Sequence, residues 1–249
     1  MIMSTRPKQL VLIRHGQSEF NAAKREATYF ADEYARRVLE GRPDSQIALT
    51  DLGVEQAKKT GINVKKQFGT FDYVFHSGYQ RAKQTVDNIL LAYTAEELKK
   101  MPIRMDVFLR ERDPGFTYAM TESEVDKNFP WLNEYWKTFG DFLAHPPGGE
   151  SLGAVSERVH LFLNMLFTSH TDEKILVVTH AHVIRCFRFL LEHWNYEQAF
   201  SILEKDKPLN CGVTMYESDS AGSRMLLREY NMDFTDGLGK ETYKLKISL

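Results

Sequence analysis

Residues 10–21 read LVLIRHGQSEFN. The four apolar residues Leu10 to Ile13 form a short, uninterrupted run with Val and Ile. Such a run suits a strand buried on both faces of a sheet. It stops at Arg14-His15-Gly16, so a polar cluster is expected at the strand's C-terminal edge, where open α/β sheets place ligands. The pattern recurs. Ile175 to Thr179 is a second buried run and ends in His180-Ala181-His182. Phe71 to Phe75 is a third and ends at His76-Ser77, just before a helix that carries Arg81 near its start. Parallel strands share one C-terminal edge, so His15, His180 and Arg81 are expected to meet there despite their separation in sequence.

Helices are expected between these strands. Thr50 can cap a helix, with Asp51 in its first turn, running to about Phe68. Further helices are expected from Tyr79 to Tyr93, from Ser151 to Ser169, and from the second histidine to about His193. Ile103 to Phe108 reads as another strand. Val213 to Glu217 and Met225 to Tyr230 read as edge or mixed strands. Phe129 to Phe139 reads as a short aromatic helical layer. Alternating strands and helices predict one α/β domain over residues 1–249: a three-layer α/β/α sandwich with a mostly parallel central sheet. The segment at about 22–48 departs from the alternation. Its Ala and Glu content favours helix up to Arg42, and Gly41 and Pro43 then break it, so it is expected to be an inserted helical excursion or flap.

The arginines indicate the ligand. A guanidinium offers planar, bidentate donors that match phosphate oxygens, and Arg14 and Arg81 would flank His15. A neutral imidazole can attack phosphorus and carry the phosphoryl group covalently. Transfer then needs positioning and stabilisation of charge on the equatorial oxygens. It also needs an acid at the leaving oxygen. Alone, a histidine at a strand end or an arginine beside it is commonplace; the case rests on their joint placement.

Taken in order along the chain, these blocks resemble the histidine phosphatase superfamily, which includes the phosphoglycerate mutases. Leu12 to Asn21 resembles its signature. Leu49-Thr50 with Gly53 and Gln56-Ala57, Ser77 to Thr85, Leu109-Arg110-Glu111 with Gly115, Gly148 to Ser151 with Arg158, Val178 to His182, and Asn210 before the final strand follow in the family's order. The resemblance implies His15 as phosphoryl acceptor. It implies Arg14, Arg81 and His180 as the clasp on the phosphoryl oxygens, and Asn21 and the backbone amide of Ala181 as further donors to phosphate. The family usually has glycine at the position of Ala181. It implies Glu111 as proton donor, with Asp113 as the competing acid; an apolar or negatively crowded site would keep Glu111 protonated near neutral pH. His182 reads as a supporting residue. For specificity the candidates are Tyr29, Arg42, Arg112 and Glu150, with Phe30, Tyr34 and the aromatics at 129–139 as further walls. A Pro-Asp pair before Leu-Thr, here Pro43-Asp44, is a feature of a phosphatase-like branch with a similarly long segment.

Composition narrows the class. The formal net charge is −2 with histidine neutral, which provides no global pull toward nucleic acid or an acidic membrane. No apolar run approaches the roughly 20 residues that cross a bilayer. Two cysteines, Cys186 and Cys211, form no metal or disulfide pattern, and a cytoplasmic protein is expected. Neither HExxH nor a comparable ligand spacing occurs, so no metal and no cofactor are expected. The expected activity is metal-independent hydrolysis of phosphomonoesters on a small-molecule phosphate ester; a phosphoprotein substrate and a homo-oligomer are both compatible with the sequence. The compact span from Glu111 to His180 and the Gly-Gly-Glu-Ser block favour the phosphatase over the mutase members. The alternatives are mutase-type phosphoryl transfer and a low-activity phosphate- or protein-binding module.

Overall fold

Burial on both faces of β1 (Gln9–Arg14) organises the molecule. Leu10 and Leu12 face one apolar layer and Val11 and Ile13 the other, and all four are fully buried. The structure is a computed structural model and describes residues 5–25, 27–195, 197–199 and 207–238. The other strands are β2 (Tyr73–His76), β3 (Ile103–Met105), β4 (Lys174–Thr179), β5 (Val213–Ser218) and β6 (Met225–Met232). They form one sheet in the order β3-β2-β4-β1-β5-β6. The pairs β1–β4, β2–β4 and β2–β3 are parallel, while β5 and β6 add antiparallel to the far side. The sheet is therefore mostly parallel, as expected.

The helices are α1 (Glu19–Lys24), α2 (Glu33–Arg36), α3 (Asp51–Phe68), α4 (Gln80–Leu90), α5 (Ala95–Leu98), α6 (Glu122–Asn128), α7 (Leu132–Leu143), α8 (Leu152–Ser169) and α9 (Ala181–Leu191). One face of the sheet packs on α8 and α9 through Val155, Val159, Phe162, Val183 and Phe187. The other packs on α3 and α4 through Val64, Phe68, Val86 and Ile89. Each such aliphatic or aromatic side chain contributes about 1.5–3 kcal/mol when fully buried. This is the three-layer α/β/α sandwich. Thr50 caps α3 by accepting from the Gly53 amide, and Ser151 caps α8 by accepting from the Ala154 amide; losing either cap costs about 1 kcal/mol.

Two glycines bring the loop after β1 onto the start of α3. A Cβ on Gly53 would lie 2.1 Å from the Gln17 carbonyl oxygen, and one on Gly16 would lie 2.5 Å from the Gly53 carbonyl oxygen. No side chain fits at that crossing, which lets the backbone beside His15 rest on the helix.

The segment at 22–48 differs from the helix expected up to Arg42. Helix α1 starts earlier, at Glu19, in a capping box between Ser18 and Asn21, and ends where Arg25 turns left-handed at φ 48°. Beyond it come α2 and two single turns, Arg37–Leu39 and Asp44–Gln46. Tertiary packing overrides helix propensity: Phe30, Leu39 and Ile47 are buried in a small apolar cluster of their own, joined by Phe20 and Tyr118. Phe30 also bridges to Thr121. The strand expected over Ile103 to Phe108 is shorter. It ends at Met105, because the Asp106 side chain accepts from the Phe108 amide and opens a tight turn at Val107–Leu109.

Candidate active site

The meeting of His15 and His180 is a consequence of register. Arg14 pairs with Thr179 as the last residues of β1 and β4, and the His15 amide donates to the Thr179 carbonyl at 2.9 Å. Each histidine is the next residue after its strand, so the two rings lie edge to face with centroids 5.0 Å apart. One strand further on, β2 ends at His76, and Ser77 places its hydroxyl 2.8 Å from His180 Nε2. Arg81 follows in the first turn of α4. All four residues are buried.

His15 Nδ1 lies 2.7 Å from the Gly16 carbonyl oxygen. A carbonyl only accepts, so Nδ1 carries the proton and Nε2 keeps its lone pair. Burial first, then the Arg81, His180 and Arg14 charges, hold this imidazole well below its ordinary pKa of 6.5. It is neutral at neutral pH, as a nucleophile must be. His180 is likewise held well below 6.5, by burial first and then by Arg81.

Two buried polar atoms near His15 have no partner among the described residues. They are Nδ1 of His180 and Nε of Arg14. Arg14 gives one Nη1 hydrogen to the Pro208 carbonyl at 2.6 Å. Buried polar groups are rarely left unpaired, so these two suit a site that takes an acceptor-rich ligand. Asn21 adds to the set. Its Oδ1 accepts from the Ser18 amide and from Asn210 Nδ2, so its own amide nitrogen is available to the cavity it lines. No side chain caps α9, and Ala181 at its first position borders the cavity. The first-turn amides of a helix are ready donors to an anion.

Glu111 borders the same cavity from the loop after β3. The loop is fixed from beneath. Arg158 on α8 donates to the Phe108 carbonyl at 2.5 Å and to the Glu111 carbonyl at 3.2 Å, and Thr179 donates to the Leu109 carbonyl at 2.7 Å. Gly115, at φ 59°, packs against the backbone of Pro147 to Gly149 so closely that a Cβ would lie 2.2 Å from the Pro147 oxygen. The Glu111 carboxylate accepts from the Arg112 amide and lies 3.3 Å from His182 Nδ1, an ion-pair distance without hydrogen-bond alignment. Burial alone would raise this carboxyl, but His182, His180 and the Arg112 amide together hold it well below 4.5. The expectation that the site keeps Glu111 protonated is thus corrected for the ligand-free state. The neighbours of Glu111 favour its carboxylate, so a proton on it requires negative charge brought by a ligand.

Of the specificity candidates, Tyr29 and Arg112 border the cavity. Arg112 stacks over Trp136 and donates to the Glu150 carbonyl at 2.7 Å. Arg42 and Glu150 do not border it. Arg42 pairs with Glu19 at 2.8 Å, and the Glu150 carboxylate is taken up by Arg110, Arg158 and the Asp113 amide beneath the acid loop. Phe30 is buried in the small cluster and Tyr34 is 79% exposed, so neither is a wall. Among residues 129–139, Asn133 and Trp136 border the cavity, whereas Trp131 and Phe139 are exposed away from it.

Several cavity residues went unrecognised in the sequence: Lys24, Tyr118, Asp141 and Arg185, while Asp44 was marked only as part of the Pro-Asp pair. Lys24 is buried, donates to the Thr28 carbonyl and sits over the Phe20 ring; burial pushes its pKa down to about 8. No periodic pattern marks these positions: Lys24 ends α1, Tyr118 lies in an irregular segment, and Asp141 and Arg185 sit singly on α7 and α9. The cavity measures about 670 Å³, which holds a sizeable organic group besides a phosphoryl group. Among the described residues, no group of three or more His, Cys, Asp and Glu side chains could hold a metal ion, and no helix is long and apolar enough to cross a membrane.

The model of the histidine phosphatase superfamily (branch 1) matches residues 10–231. The chain belongs to this superfamily. A 2,3-bisphosphoglycerate-dependent phosphoglycerate mutase of Nitrobacter hamburgensis is 35% identical over 196 residues, covering 76% of this chain and 83% of the relative. Two solved structures share the fold of this histidine phosphatase superfamily member. One is a protein titled mycobacterial hydrolase 1, with TM-score 0.70 and 21% identity over 92% of this chain and all of that one. The other is a mycobacterial glucosyl-3-phosphoglycerate phosphatase in complex with inorganic phosphate, with TM-score 0.68 and 20% identity over 92% of this chain and 99% of that one.

Proposed function

We propose that this member of the superfamily hydrolyses phosphomonoesters through a covalent phosphohistidine on His15. The observation that carries the reading is the His15 ring itself: neutral, proton on Nδ1, Nε2 free, with unpartnered buried donors on Arg14 and His180 beside it. Nε2 attacks phosphorus and the ester P–O bond breaks. Arg14, Arg81, Asn21, His180 and the amide of Ala181 bind the phosphoryl oxygens as charge builds on them. Glu111 gives its proton to the leaving oxygen. An incoming dianion raises the pKa of a neighbouring carboxyl, so the substrate itself moves Glu111 back toward the protonated form. Water then attacks phosphorus, passes a proton to Glu111, and the P–N bond breaks to give inorganic phosphate. Each step uses groups of this chain alone. The substrate is a small phosphate ester whose leaving group fills the cavity lined by Tyr29, Tyr118, Arg112 and Trp136, and we place the protein in the cytoplasm.

The test is phosphate release from a panel of monoesters, including an aryl phosphate and 3-phosphoglycerate, by wild type and His15→Ala side by side in EDTA. Release that vanishes in the variant is expected; equal release by both removes His15 as nucleophile. The identity to a phosphoglycerate mutase supports a second reading, in which the phosphoryl group returns to the glycerate. Interconversion of 3- and 2-phosphoglycerate without stoichiometric phosphate release would favour it.

A further inference from the structure

Arg81 is shared between the phosphoryl site and the inserted segment. Its side chain is 5% exposed and pairs with Asp44, which is 21% exposed. Nη1 donates to the Asp44 backbone carbonyl at 2.7 Å and to Oδ1 at 2.9 Å, and Nη2 donates to Oδ2 at 3.1 Å. Both hydrogens of Nη1 and one of Nη2 are therefore spent on a single residue. The Nε–H and the second Nη2–H have no partner among the described residues. Those two donors form the guanidinium's other bidentate edge, with the geometry that grips two phosphate oxygens. Tyr79 lies against the group, 4.9 Å from Cζ to the ring centroid. Both Arg81 and Asp44 border the cavity. A second contact fixes the same segment to α4: the Leu49 amide donates to Gln84 Oε1 at 2.8 Å.

This arrangement has two effects. Asp44 aims Arg81 by fixing one edge of a planar group, which fixes the direction of the other. It also pairs the arginine with a counter-charge, so Arg81 presents less net positive charge to a bound phosphoryl dianion. The same carboxylate thus orients the clasp and weakens it. A clasp of undiminished charge would hold product phosphate as firmly as the reacting group, and binding shared equally by ground and transition states does not speed the chemical step.

We propose that Asp44 is a positioning residue that acts through Arg81, presenting its Nε–Nη2 edge to the phosphoryl group while loosening the site's hold on inorganic phosphate. This rests on the phosphatase reading for its kinetic consequence but not for its effect on phosphate affinity. Asp44→Asn keeps the shape and the backbone carbonyl contact and removes the charge. Inorganic phosphate, titrated calorimetrically, is expected to bind about tenfold more tightly, about 1.4 kcal/mol, while kcat on an aryl phosphate falls severalfold. Loss of structural integrity would weaken both, so the opposite signs identify positioning. Asp44→Glu, which keeps the charge, is expected to return phosphate affinity toward wild type. In an Arg81→Ala background, Asp44→Asn is expected to leave phosphate affinity unchanged.

Phosphate binding that is unchanged or weaker in Asp44→Asn would overturn the proposal, as would a gain equal in both backgrounds, because Asp44 would then act on the ligand directly. A kcat that rises would make Asp44 a plug and not a positioning residue. If wild type turns over no ester at all, the phosphatase reading falls, and the affinity measurements still decide the role of Asp44.

Discussion

Replacing Glu150 with Gln isolates what holds the acid loop in place. The carboxylate takes four donors: Arg110 Nη2 at 2.6 Å and Arg158 Nε at 2.9 Å on Oε1, Arg158 Nη2 at 3.1 Å and the Asp113 amide at 3.0 Å on Oε2. A carboxamide turns one of these oxygens into an NH2 group, and two donors then face a donor. The Arg158 side chain is 7% exposed, so water replaces little of what it loses; one bond to the remaining carboxamide oxygen and those to the Phe108 and Glu111 carbonyls are left to it. Breaking one side of a buried ion pair costs about 3–5 kcal/mol. Arg110 is 33% exposed and can turn to solvent, which argues for the low end, about 3 kcal/mol. For a chain of this size each kcal/mol lowers Tm by about 2–4 °C, so a fall of about 6–12 °C is expected in a calorimetric scan at neutral pH.

The pH dependence provides a second check. Burial raises the Glu150 carboxyl, but Arg158, the Asp113 amide and Arg110 outweigh it and hold the group below its ordinary 4.5. A depressed carboxyl stabilises the fold above the unfolded-state pKa, and that stability is lost as pH falls through the lower folded-state value. The gap in Tm between wild type and Glu150→Gln is therefore constant through neutrality and narrows in acid below about 4.5. A shift smaller than about 2 °C, or a gap that does not close in acid, would refute the clamp.

Two further outcomes follow from the site geometry. Ser77→Ala removes the hydroxyl at His180 Nε2 and leaves a fully buried ring with neither nitrogen paired; an unsatisfied buried group costs about 1–3 kcal/mol, so kcat on an aryl phosphate should fall by about tenfold or more, and a change under about twofold would remove Ser77 from the support of His180. His182→Ala withdraws the neighbour that does most to hold Glu111 low; burial then raises the Glu111 pKa, and the limb of kcat/KM that descends as the acid ionises should move to higher pH, whereas an unmoved limb would show that Glu111 is not the titrating acid.

The inner site was legible in the sequence because it is built by register. Three apolar runs end in His15, Ser77 and His180, and parallel pairing alone brings their ends together. The position of Glu111 was legible through its motif, but its ionisation was not: it depends on His182, Arg112 and the burial of a loop whose supports, Arg158 and Glu150, lie about 40 residues away along the chain. Arg42 and Glu150 have the right chemistry for a substrate pocket and were misread because a charged side chain in a motif does not disclose its partner. Phe30 and Tyr34 were misread for a related reason. The segment that carries them lacks a periodic pattern, so which aromatic turns inward is set by the local cluster with Leu39 and Ile47.

The division between a site built by register and a wall built by irregular segments bears on what the protein acts upon. Strand ends bring His15 and His180 together beside Arg14 and Arg81, and in the proposed reading those groups meet only phosphorus and its oxygens. In the proposed reading the leaving group meets residues from three stretches outside the sheet: Lys24, Tyr29 and Asp44 before α3, Thr117 and Tyr118 after the acid loop, and Trp136 on α7. These stretches are tied to one another, through Phe30 to Thr121 and Arg36 to Glu124, and to α4 through Asp44 and Arg81. A change of leaving group therefore requires the wall to change without disturbing the sheet, and Asp44 is the point at which such a change would still be felt by the phosphoryl clasp.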